Sequence, residues 1–143
     1  MNRIRAFNRY YTKVLGLMNR CYLGSEFGFP EVRIIQDIYL HPHRTSKMIA
    51  TELNMDKGLL SRLLKQLEHG GYIFRKEDEK DSRVALIELT KKGTEAYHRL
   101  DAAASKSVEE MLSHLTDEQL QELVKNMDLI YNMISDGRKE STY

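Results

Sequence analysis

The sequence predicts a mainly α fold carrying one small β-wing. Between Arg44 and Lys92 the spacing of apolar residues is helical, then alternating, then helical again. Gly70-Gly71 separate the helical part from the alternating part, and a residue able to cap a helix stands before each helical stretch. Helix, turn, helix, strand, charged loop, strand is the order of a winged helix-turn-helix, here flanked by N- and C-terminal helices.

Taken in order, Ile4, Phe7, Tyr11, Val14, Met18 and Cys21 recur every three or four residues, which predicts an amphipathic helix from Asn2 to about Tyr22. Arg3, Arg5, Arg9, Lys13 and Arg20 fall largely on its other faces. The stripe can serve as core, as subunit interface or as the wall of a ligand pocket. Leu23 to Phe29 reads as a loop, and Pro30 suits the first position of a helix with Val32, Ile34, Ile35, Ile38 and Tyr39 as its apolar residues. His41-Pro42-His43 ends that helix, since proline cannot continue the hydrogen-bond ladder. The His-x-His spacing invites a metal reading, but no cysteine or carboxylate completes a set nearby in sequence. Solvated loop histidines are expected, with no metal and no cofactor.

Thr45 can cap a short helix from Ser46 to Leu53 that buries Met48, Ile49 and Leu53. After the connector Asn54-Met55, Asp56 can cap a second helix with Leu60, Leu63, Leu64 and Leu67 on its buried stripe. Lys57, Gly58, Leu59, Ser61, Arg62 and Lys65 lie on the other side. In a helix laid in a major groove, such a face offers arginine to guanine and an apolar group, here Leu59, to a thymine methyl. Any surface helix also keeps lysine and arginine on its wet side, so the reading depends on the wing that follows. Tyr72 to Arg75 begins one strand and Val84 to Leu89 forms another, with Lys76 to Arg83 as the loop between them.

Thr90 can cap a long helix reaching His114, with Ala102, Ala103 and Ala104 small enough for a neighbouring helix to come close. Thr116 and Gln119 form a capping box inside a Leu115–Leu120 staple, so a new helix must begin there. Its stripe of Leu120, Leu123, Val124, Met127, Ile130, Tyr131 and Ile134 is wider than a terminal helix covered on one side requires, and a partner helix is expected. Asp136 to Tyr143 reads as a polar tail.

The length, with 41% hydrophobic and 30% charged residues, fits a single domain or one subunit of an intertwined oligomer. The division expected is a winged module over residues 30–92, dimerisation helices over 1–29 and 93–136, and a tail over 137–143. The net charge of +1 makes no case for nucleic acid, but its distribution is uneven. Residues 1–44 hold seven basic side chains against three acidic, residues 45–92 ten against eight, and residues 93–143 five against ten. With no apolar run near the ~18 residues of a membrane span and no signal core, a cytoplasmic location is expected. Cys21 is the single cysteine and excludes an internal disulfide framework. No Gly-rich phosphate loop, nucleophile elbow or paired carboxylate set argues for an enzyme.

The run LLSRLLKQLEHGGYIFRKEDEKDSRVALIELTKKG resembles the MarR family of bacterial winged-helix transcription regulators. The likeness is carried by the wing's Asp81-Ser82-Arg83 and by Leu89-Thr90-Lys91-Lys92-Gly93 leading into the next helix. The first helix further resembles members fused to an acetyltransferase domain, a domain for which this chain has no room.

The resemblance implies a homodimeric transcriptional regulator, with the repressor role expected, bound to a roughly palindromic DNA site. Thr45, Ser46, Lys47, Lys57, Gly58, Leu59, Ser61, Arg62 and Lys65 would then contact DNA, with Arg83 in the minor groove and Asp81 holding the wing in shape. Ile4, Phe7, Tyr11, Leu123, Met127, Ile130 and Ile134 would form the dimer interface. A small aromatic or anionic effector would sit near Tyr11, Met18, Tyr22 and Tyr39. Cys21 is either inert packing or an oxidant sensor. The alternative function is a winged-helix protein-interaction module that has lost specific DNA binding, for which the acidic Glu77-Asp78-Glu79 speaks.

Overall fold

A computed structural model describes residues 1–135; the expected tail lies outside the described residues. The chain divides into two compact units, with the boundary after Ala104. The first contains α1 (Asn2–Val14), a short 3₁₀ turn (Tyr22–Gly24), α2 (Phe29–Leu40), α3 (Ser46–Glu52), α4 (Lys57–His69), β1 (Ile73–Glu77), β2 (Ala85–Leu89) and most of α5 (Lys91–Leu112). The second holds the end of α5 and α6 (Asp117–Ser135). None of the described helices is long and apolar enough to cross a membrane.

The core of the first unit is built from the predicted stripes. Ile34, Ile35 and Ile38 of α2, Ile49 of α3 and the four leucines Leu60, Leu63, Leu64 and Leu67 of α4 are buried together with Ile73 and Ile87 of the sheet and Ala96 and Leu100 of α5. β1 and β2 pair antiparallel with Ile73 opposite Leu89 and Glu77 opposite Ala85. The wing loop is closed by two backbone bonds, Asp78 N–H to the Val84 carbonyl and Val84 N–H to the Asp81 carbonyl, each 2.9 Å.

Helix ends follow local chemistry. Thr45 Oγ1 accepts from the Met48 N–H at 3.2 Å and Asp56 Oδ1 from the Leu59 N–H at 3.0 Å, as the capping pattern requires. α3 and α4 end in the same motif, each with a left-handed residue just past the cap: Asn54 at φ 46° and Gly71 at φ 75°. In α4 the Gly71 N–H returns to the Glu68 carbonyl and the Tyr72 N–H to the Leu67 carbonyl.

The same motif corrects the first helix. The expected run to Tyr22 stops at Val14, because Gly16 adopts φ 63° and the N–H groups of Gly16 and Leu17 turn back to the Lys13 and Thr12 carbonyls. Residues 15–21 are therefore turns and bends, and the apolar spacing that continues through Met18 and Cys21 is not helical. Three smaller corrections concern faces and ends. Met48 points to solvent instead of into the core, and Leu59, expected on the wet side of α4, packs partly against the core. Lys76 and Glu77 are the last residues of β1 and not part of the loop.

In the second unit α6 begins as its capping box requires. The Thr116 N–H donates to Gln119 Oε1 at 2.9 Å and the Gln119 N–H to Thr116 Oγ1 at 3.3 Å. No residue of α6 is buried, and Val124, Met127, Leu129, Ile130, Met133 and Ile134 are exposed.

Candidate nucleic-acid interface

The four leucines that bury one side of α4 fix what its other side shows. Gly58, Ser61, Arg62, Lys65, Gln66 and His69 line one shallow groove along the outer face, at the spacing of a single helical stripe. Of the arginines between residues 44 and 92, Arg44 faces Asp37, Arg75 faces Glu68 and Arg83 faces Asp81. Arg62 faces no carboxylate, and among the described residues the side chains of Lys57, Ser61, Arg62, Lys65 and Gln66 make no hydrogen bond or ion pair. Their donors are free for an external acceptor. Gln66 and His69 were not among the expected site residues, although their positions eight and eleven residues after Gly58 put them on its stripe.

At the start of α3, Thr45 spends its hydroxyl oxygen on the cap, Ser46 is half-buried and Lys47 is exposed. The wing tip is organised by Asp81. Its carboxylate accepts from Arg83 Nε at 2.9 Å, from Arg83 Nη2 at 3.0 Å and from the Arg83 N–H at 3.1 Å. The Arg83 guanidinium holds the Asp81 carboxyl below its usual range, and Asp81 in turn raises Arg83. Arg83 nevertheless remains 88% exposed along its side chain.

The wing is anchored behind by the Leu89–Gly93 segment. Thr90 Oγ1 donates to the Gly71 carbonyl at 2.6 Å and accepts from the Gly93 N–H at 3.1 Å. Gly93 is buried, and a Cβ there would collide with the Tyr72 carbonyl oxygen, so only glycine lets α5 start against the strand. Lys92 donates to the Gly70 carbonyl at 2.7 Å and lies over the Tyr72 ring.

The expected pocket residues are not gathered in one place. Tyr22 lines a cleft of about 190 Å³ with Phe29, Arg33, Gln36 and Tyr97, and Tyr39 stacks on Tyr97 at 3.7 Å. Met18 is 87% exposed and Tyr11 stacks on Phe7 within α1. Cys21 is exposed. His41 and His43 face Asp37 and Glu88, and no group of three or more potential metal ligands exists among the described residues. Ile4, Phe7, Met127, Ile130 and Ile134 are exposed, while Tyr11 and Leu123 are partly covered.

Comparison with known proteins places this arrangement. A model of the MarR family matches residues 27–84, the span from just before α2 to the end of the wing loop. Over those residues the chain is similar to the MarR family. The HTH-type transcriptional regulator BilQ of Clostridioides difficile is 30% identical over 95 residues, 65% of this chain and 64% of that protein. The HTH-type transcriptional regulator MgrA of Staphylococcus aureus is 25% identical over 139 residues, 97% of this chain and 89% of the relative. Streptococcus pneumoniae FabT, solved in complex with DNA, superposes with a TM-score of 0.78 at 25% identity, covering 96% of this chain and 99% of FabT.

Proposed function

We propose that this chain is a homodimeric, sequence-specific DNA-binding repressor of transcription of the MarR type. α4 lies in the major groove and Arg83 reaches the minor groove. The observation that carries the reading is the outer face of α4, where Arg62 and Lys65 stand without an acidic partner, while Arg44, Arg75 and Arg83 each face a carboxylate. Unpaired cations on a helix backed by four buried leucines form a rigid, positively charged rod, which suits phosphate attraction and bidentate guanine reading. FabT, similar along nearly its whole length, was solved with DNA bound, which supports the same role here.

A single module reads few base pairs, and two copies related by a twofold axis read a roughly palindromic site with half-sites ~34 Å apart or a small multiple of it. The exposed apolar faces of α1, with Ile4 and Phe7, and of α6, with Met127, Ile130 and Ile134, support dimerisation through these helices. The aromatic cleft at Tyr22 and Tyr97, with Arg33 on its wall, supports control by a small aromatic or anionic effector. The protein then acts in the cytoplasm, where the chromosome of a bacterial cell lies, and does no enzymatic chemistry.

Selection of bound duplexes from a random library tests this reading. A palindromic consensus is the expected result. No enrichment at low salt, together with a stable complex with another protein in pull-downs, would replace it with a protein-interaction module.

A further inference from the structure

Among the described residues Asp37 is the charged residue buried in the core, only 4% exposed, on α2 between Ile34 and Ile38. Both carboxylate oxygens are taken. Arg44 donates from Nε to Oδ2 at 2.9 Å and from Nη2 to Oδ1 at 2.7 Å, and the His41 ring nitrogen Nδ1 lies 3.1 Å from Oδ1. Hydrogen bonding to Asp37 raises the Arg44 pKa, so the guanidinium stays charged.

Arg44 is where three parts of the module meet. Its carbonyl accepts from the Ile87 N–H at 2.7 Å, an isolated antiparallel bridge onto the wing strand β2. Its guanidinium approaches Glu52 at the end of α3 at 3.8 Å, and the next residue, Thr45, caps α3. One buried carboxylate therefore holds the residue that joins α2, the start of the helix-turn-helix and the base of the wing.

We propose that Asp37 is a positioning residue for DNA reading: through Arg44 it sets the angle of the wing, and so of Arg83, relative to α3 and α4. This rests on the DNA-binding role proposed above. A buried ion pair adds little stability over an apolar pair of equal size, because desolvation offsets the attraction. Its bidentate fork, however, admits one orientation of Arg44 and hence one position of the carbonyl that Ile87 bonds. The pair contributes geometry, and the geometry it controls is that of the wing.

The test compares Asp37→Asn, Arg83→Ala and the double variant with the parent, on a duplex the parent selects, and follows amide exchange at Ile87. Asp37→Asn is expected to speed Ile87 exchange and to weaken binding about tenfold, the size of one charge-assisted contact. In the double variant it should add no more than about twofold to the loss from Arg83→Ala alone, because the wing it positions has nothing left to place. Full additivity, or Ile87 exchange equal to the parent's, overturns the proposal.

If Asp37→Asn does not fold, Arg44→Lys carries the same comparison, since lysine keeps the charge and loses the fork. A parent that binds no duplex defeats the DNA reading itself. Ile87 exchange then decides the positioning alone, with faster exchange supporting it and equal exchange overturning it.

Discussion

The outer face of α4 and the tip of the wing both present arginine, in opposite states. Arg62 has no partner, whereas Arg83 is forked onto Asp81. On α4 the position of the cation is set by the leucines behind it, so the side chain is held at its base and free at its tip. In the wing no core stands behind the loop, and a carboxylate two residues away does the holding. Helix cations are thus ready for an acceptor at once, while the wing cation must exchange one anion for another. The net gain on binding should be larger at α4.

Gly93→Ala should have the largest effect, because it disturbs the joint behind both surfaces. The added methyl meets the Tyr72 carbonyl, and about 1–3 kcal/mol of stability should be lost in urea denaturation, the usual cost of overpacking. Unchanged stability would mean that the start of α5 can move away from Tyr72 at no cost.

Arg62→Ala should weaken binding to a selected duplex by ~1–3 kcal/mol, and Arg83→Ala by less, since Arg83 gives up Asp81 in order to bind. A larger loss from Arg83 in an anisotropy titration would reverse the comparison. Lys65→Ala should weaken all sequences alike and reduce the slope of log affinity against log salt by about 0.9, the signature of one phosphate contact. A slope equal to the parent's would take Lys65 away from the phosphates.

The smallest effect expected is that of pH on the wing tip. Asp81 has its carboxyl lowered, chiefly by the Arg83 side chain, so the pair is intact above the ordinary aspartate value of about 3.9 and is lost only as pH falls through the lowered one. Chemical shifts at Asp81 and Arg83 should stay constant between pH 5 and 8, and a titration in that window would require another group at the tip.

Most of the winged module was legible in the sequence because its signals are local. Thr45, Asp56, Thr90 and the Thr116–Gln119 box each cap the helix they precede. Apolar spacing survives the end of α1 and predicts too long a helix, although Gly16, at positive φ, is a C-cap signal in plain view. Residue spacing puts Leu59 on the wet face, yet a side chain at the edge of a stripe can lean either way.

The Asp37–Arg44 pair was out of reach for another reason. An aspartate among isoleucines is a visible anomaly, but its partner lies seven residues away past a helix end, and no periodicity connects them. Met18 joins the expected pocket only through a helix that does not extend that far, since α1 ends at Val14.

If the outer face of α4 reads bases, its arginine must set discrimination at single positions. Affinities of the parent and of Arg62→Ala would be measured against a selected duplex and against each of its single-base-pair variants, at one salt concentration. Arg62→Ala is expected to lose discrimination at one guanine-bearing position in each half-site and to keep it elsewhere. An unchanged discrimination profile in Arg62→Ala would contradict base reading by this face.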